Sequence, residues 1–170
     1  EHRGRTAGVT AAYVGDAANN MAHSYLLGFA TAGMHLRVGG PNIGSADQDV
    51  VLRAQRISSE TGGSITLTDS PHEAVDGADV VLTDTWVSMG REGETAERKG
   101  RDSPFAPFQI DSALLGRAAP DAAVLHCLPA YRGFEITAEV IDGPASLVFQ
   151  EAENRLHVQK ALLAFLLDQQ

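Results

Sequence analysis

Val9-Thr10-Ala11-Ala12-Tyr13-Val14-Gly15-Asp16 runs six apolar or β-branched residues into a glycine and a carboxylate, and two later stretches repeat that arrangement. ADVVLT at 78–83 leads into Asp84-Thr85-Trp86-Val87-Ser88-Met89-Gly90, and DAAVL at 121–125 leads into His126-Cys127-Leu128-Pro129. Continuous apolar runs separated by helical patterns are the mark of parallel strands covered on both faces. Ligands bind such sheets in the crevice beyond the carboxyl ends of the strands. All three polar motifs therefore open onto one edge, which points to a binding site more than to three unrelated turns.

Working outward, residues 9–14 read as a first strand and 19–33 as a helix. Met21, Tyr25, Leu26, Phe29 and Ala30 give that helix an apolar face, and Gly33 supplies a left-handed stop. Strands are expected at 34–38, 64–68, 79–83 and 122–126. Helices are expected at 47–61, after Ser70-Pro71 where a serine cap precedes a proline, near 110–117, and from 145 or 151 to 167. The fold class is α/β: a three-layer Rossmann-like domain with a central parallel sheet flanked by helices. Residues 88–107 show neither helical nor strand period, and a loop of that length at a binding edge is expected to act as a lid.

The chain has 170 residues, enough for one domain with a sizeable core. A formal net charge of −9 argues against a nucleic-acid surface, and Arg98-Lys99 with Arg101 is too short a basic cluster to change that. No apolar run is long enough to cross a bilayer, and one cysteine has no partner in the chain, so a cytoplasmic protein is expected. The stretch ALLAFLL at 161–167 is apolar on nearly every side of a helix. Such helices are normally buried, so another domain or subunit is expected to cover it; the plainer alternative is a well-wrapped terminal helix.

Each motif has a structural reading beside its functional one. Asp16 and Asn19 fit the role of helix caps. Asn20 then remains to offer an amide to an anion where the helix dipole already favours one. The G-x-G-x-x-G spacing of a dinucleotide site is absent, which counts against a nicotinamide-dependent dehydrogenase. Asp84 and Ser88 can together accept hydrogen bonds from an ammonium group, and the backbone near Met89 can take up a carboxylate. Trp86 is read as packing. Cys127 alone could be a small buried hydrophobe, but its place at the ligand edge favours a functional thiol. Leu128-Pro129 is a candidate cis peptide. Arg155 is either a fork for phosphate or carboxylate, or a surface partner of Glu151. No histidine set has metal-ligand spacing, so no metal is expected.

Taken together, GDAANN, DTWVSMG, HCLP and AENR, in this order, resemble the ornithine carbamoyltransferase family over essentially the whole chain, residues 1–170. The likeness is to the ornithine-binding, C-terminal half alone. The S-T-R-T and H-P-x-Q motifs of the family's carbamoyl-phosphate half do not occur, so the chain is expected to be one domain of a longer enzyme. The resemblance implies L-ornithine and carbamoyl phosphate as substrates, no cofactor, L-citrulline as product, and a trimer or multiple of trimers. It implies that Asn20 and the Met89 backbone bind the ornithine α-carboxylate and that Asp84 and Ser88 hold its α-ammonium. Cys127 and the Leu128 carbonyl would border the reacting groups, and Arg155 would reach carbamoyl phosphate. Another amine acceptor, such as N-acetylornithine or putrescine, and a non-catalytic amino-acid-binding module stay open as alternatives.

Overall fold

The computed structural model describes residues 2–87, 92–100 and 102–168. Five strands form one parallel sheet: β1 (Thr10–Val14), β2 (His35–Gly39), β3 (Ser64–Thr68), β4 (Val80–Thr83) and β5 (Ala123–His126), in the order β3-β2-β1-β4-β5. Side chains alternate along β1. Ala11 and Tyr13 enter one apolar cluster with Leu26 and Ala30 of α1 (Asn20–Thr31) and Val51 and Ala54 of α2 (Gln48–Thr61). Ala12 and Val14 enter the other. There they meet Ala74 and Val75 of α3 (Pro71–Val75), Leu114 of α5 (Ser112–Leu115) and Val140 and Ile141 of α6 (Ala138–Ile141). Both faces of the sheet are thus covered at its centre, which is why β1 and β4 lack a polar side, whereas the edge strand β3 alternates. The expected three-layer α/β fold is the observed one.

Chain order reverses beside β1, because β2 and β3 lie on one side and β4 and β5 on the other. That reversal is the point at which loops splay apart and leave a crevice. The register aligns Tyr13 with Leu82 and Thr83 with His126, so the three motifs leave the sheet at nearly one level. Gly15 turns away at φ 146, and a Cβ there would stand 3.3 Å from Thr83 Oγ1, so the first motif needs glycine at this turn.

Local signals account for several helix ends. Asn19, Asp47 and Ser70 each accept backbone N–H bonds at the start of α1, α2 and α3, and Pro71 begins α3 as expected. Gly62, in the left-handed region at φ 83, closes α2. The helix expected at 110–117 contracts to α5, capped by Asp111, and α6 was not expected from its short, weakly patterned sequence. The reading of 88–107 as lacking regular structure is corrected for its described part. That part contains α4 (Thr95–Lys99) and two 3-10 turns (Glu92–Glu94 and Ala106–Phe108), with Arg98, Ser103, Phe105 and Phe108 buried. Its order comes from tertiary contacts, above all the burial of Arg98, and no period announces those.

The last helix, α7 (Val148–Asp168), anchors through Val148 and is otherwise mostly exposed. Leu156, Leu163 and Leu167 are 66%, 62% and 67% exposed, so the described residues of this chain do not cover the apolar stretch.

Leu82 is 1% exposed between β1 and α1. Leu82→Ala is expected to lower unfolding free energy by about 2–5 kcal/mol with the urea m-value unchanged; a loss under about 1 kcal/mol in urea denaturation would contradict this packing.

Candidate functional site

Asp84 leaves the end of β4 and is buried at 7% exposure. Its Oδ2 accepts from the Asn19 amide at 2.7 Å, and its Oδ1 accepts from the Thr85 N–H at 2.7 Å and from the Cys127 thiol at 3.2 Å. One carboxylate therefore ties together the loops that follow β1, β4 and β5. These partners, all that Asp84 has among the described residues, are neutral, so its charge remains available to a cation brought in by a ligand.

Cys127 opens onto a cavity of about 960 Å³, whose walls include Met21, Tyr25, Leu128, Glu151 and Arg155. That volume is in the range of small-molecule sites. Burial, then the neighbouring Asp84 charge and the hydrogen bond to it, push the thiol up to about 12. Cys127 is thus a protonated donor at neutral pH rather than a thiolate nucleophile. Burial first, with Cys127, Glu151 and Asp84 adding to it, also pushes the Tyr25 hydroxyl well above its ordinary value. That hydroxyl is enclosed and makes no hydrogen bond among the described residues.

The turn beyond Cys127 is built from its own sequence. The Leu128-Pro129 peptide is cis, as expected, and Leu128 has φ 55. The Leu128 N–H donates to His126 Nδ1 at 2.9 Å, His126 Nε2 meets Glu135 Oε1 at 3.2 Å, and the His126 N–H donates to Glu151 Oε2 at 2.9 Å. Asp84, His126 and Cys127 bring potential metal-ligand atoms within 4.8 Å of one another. Both ring nitrogens of His126 are already engaged, which leaves two donors where a structural zinc site takes four.

A second buried tie flanks the first. Arg98 pairs with Asp16 and donates to the Trp86 carbonyl at 2.9 Å, while Glu94 accepts from its Nε at 2.6 Å. Asn42 and the Ala18 N–H also serve Asp16, at 2.7 and 2.9 Å. Burial alone would raise the Asp16 pKa, but the bonds from Asn42, Arg98 and Ala18 outweigh it and hold the carboxyl below its usual value. Trp86 packs on Phe105 with ring centres 5.8 Å apart, in keeping with its reading as packing.

The expected site residues divide in their placement. Asp84 and Cys127 are in contact, and Leu128 and Arg155 line the same cavity. Asn20 stands exposed at the first residue of α1, while its neighbour Asn19 both caps the helix and reaches Asp84. Ser88 and Met89 lie outside the described residues. Arg155 does not take the surface role with Glu151, whose carboxylate is turned to the His126 N–H. Sequence reasoning placed His126 in this region but missed its partner Glu135, and it missed Tyr25 and Arg98. Of these three, Tyr25 had a signal, since it falls one turn beyond Met21 on the same helix face.

An α/β domain with an amide, a carboxylate and a thiol converging at the strand ends defines a binding domain for a small polar ligand. The family model described as aspartate/ornithine carbamoyltransferase, Asp/Orn binding domain, matches residues 7–166. The ornithine carbamoyltransferase of Renibacterium salmoninarum is 56% identical over 168 residues, spanning 99% of this chain and 53% of that protein. The corresponding protein of Bifidobacterium longum subsp. infantis is 57% identical over 169 residues, spanning 98% and 52%. The solved ornithine carbamoyltransferase of Pyrococcus furiosus superposes with a TM-score of 0.87 at 45% identity, covering 95% of this chain and 50% of that one. The chain belongs to the aspartate/ornithine carbamoyltransferase family, in its Asp/Orn binding domain, and it spans about half the length of the curated relatives it matches.

Two outcomes follow from the electrostatics. Because the Asp16 pKa is lower folded than unfolded, its contribution is complete above the unfolded value of about 3.9 and is lost as pH falls through the folded one. Arg98→Met should cost about 3–5 kcal/mol at pH 7 and show a smaller further loss between pH 4 and pH 2 than the parent, read by urea titration at each pH. Iodoacetamide alkylation of Cys127 should be slow at pH 8 and rise about tenfold per pH unit through pH 10; a plateau below pH 9 would contradict the buried, Asp84-bonded thiol.

Proposed function

We propose that this chain is the ornithine-binding half of an ornithine carbamoyltransferase, which transfers the carbamoyl group of carbamoyl phosphate to the δ-amine of L-ornithine and yields L-citrulline and phosphate in arginine metabolism. Membership in the family, with curated relatives of that activity, supports the reading. The observation that carries it is the Asp84 carboxylate, buried among neutral donors one thiol away from the cavity. An amino-acid ammonium would supply a positive charge that none of the described partners of Asp84 carries. Ser88 would share that ammonium, and Asn20 with the Met89 backbone would take the α-carboxylate.

In the transfer, the neutral δ-amine attacks the carbamoyl carbon, the bond from that carbon to the phosphate oxygen breaks, and the proton shed by the nitrogen passes to the departing phosphate. Deprotonating an amine of lysine-like pKa at neutral pH costs on the order of 4–5 kcal/mol. Placing Asp84 at the α-ammonium avoids stabilising the charged form of the δ-amine. The protonated Cys127 suits direct attack without a thiocarbamoyl intermediate, and Cys127 and the Leu128 carbonyl border the reacting atoms. Alignment of two bound reactants can lower the barrier by roughly 7–11 kcal/mol, more than proton transfer need supply. Arg155 would reach carbamoyl phosphate across a cleft to the carbamoyl-phosphate domain, which would also cover the apolar face of α7. The complete enzyme would be a cytoplasmic trimer or a multiple of trimers. Among the described residues no helix is long and apolar enough to cross a membrane.

Calorimetric titration of L-ornithine, N-acetylornithine and putrescine into this chain should give weak binding of ornithine above the other two, and no citrulline when carbamoyl phosphate is added. Asp84→Asn should weaken ornithine by about tenfold to hundredfold. Equal affinity for putrescine, which has no α-carboxylate, would redirect the assignment to another acceptor, and measurable citrulline would refute the inactivity of this half alone.

A further inference from the structure

Glu135 and His126 are 0% and 1% exposed, yet neither is explained by the ligand chemistry above. The Leu128 N–H can only donate, so His126 Nδ1 must accept, and the ring proton resides on Nε2 facing Glu135 Oε1. The same Oε1 accepts from the Tyr131 N–H at 2.5 Å, while Glu135 Oε2 has no hydrogen-bond partner among the described residues. One carboxylate oxygen therefore holds both ends of the 127–131 turn, one directly and one through an imidazole. What it holds needs holding, since Leu128 at φ 55 is in left-handed backbone that a leucine rarely adopts.

We propose that Glu135 is a positioning residue for the site: by selecting the Nε2–H tautomer of His126, it sets the Leu128 backbone and with it the Cys127–Leu128 edge before any ligand arrives. A carboxylate buried with one oxygen unpaired among the described residues is otherwise a poor choice for packing, because an apolar residue would fill the space without the desolvation cost. The proposal deepens the ornithine reading and rests on it for the purpose of the turn, but the turn can be observed without ornithine.

The test is ¹⁵N–¹H long-range NMR of assigned His126 in this chain, together with the alkylation rate of its single thiol, in the parent, Glu135→Gln and Glu135→Leu. The parent should show an unprotonated Nδ1 and a protonated Nε2. Glu135→Gln keeps an acceptor oxygen and should preserve both the tautomer and the alkylation profile. Glu135→Leu should lose the single tautomer and alkylate about tenfold faster at pH 9 as Cys127 is freed from its fixed geometry. Protonated Nδ1 in the parent, or parental spectra and rates in Glu135→Leu, would overturn the proposal. If Glu135→Leu does not fold, the other two proteins decide: a folded Glu135→Gln that has lost the Nδ1-acceptor signature overturns it, and one that retains it supports it. Failure to bind ornithine with the His126 signature intact would defeat the functional reading alone.

Discussion

The hydrogen bonds to the Asp84 carboxylate hold the site region together. Asn19 reaches it from the loop after β1, Thr85 from its own loop and Cys127 from the loop after β5. These loops can meet because the sheet order sets β4 between β1 and β5, with their carboxyl ends level. Among the described residues this carboxylate is held by neutral donors alone, which orientates it without compensating its charge. This leaves an electrostatic demand that a cationic ligand group would meet.

The surrounding ties keep this arrangement rigid. Arg98 joins α4 to Asp16 at the start of the first motif and to the Trp86 carbonyl in the second. Lys99, the next residue, lies 3.4 Å from the ring centre of Tyr131, just past the third. A short helix thus contacts the first and second motifs and the chain just beyond the third. A thiol kept protonated beside a fixed carboxylate is suited to donating a hydrogen bond rather than to acting as a nucleophile.

Much of this was legible in the residues. Strands buried on both faces, such as β1 and β4, announce themselves as apolar runs, and the alternating edge strand β3 reads to the residue at 64–68. Caps at Asn19, Asp47 and Ser70 act within a few residues and so leave a local signature. The region 92–108 and α6 left none, because their order comes from contacts with distant elements. Asn19 shows the limit most clearly. Its fit as a helix cap offers a structural reading in the sequence and leaves Asn20 to take the ligand. In the structure the cap uses only the Asn19 carbonyl oxygen, and its amide nitrogen is free to bind Asp84.

The order of amino acids by itself determined the α/β class, the sharing of one edge by three motifs, and the family likeness, because these follow from side-chain period and from short motifs. Only the tertiary structure decided that Asp16 is paired with Arg98 across 82 residues, that the Cys127 thiol donates to Asp84 across 43, and that His126 is buried against Glu135. Hydrogen bonds and charge pairs are short-ranged and directional, so they exist only once packing has brought their partners to contact, and no periodicity along the chain encodes that distance.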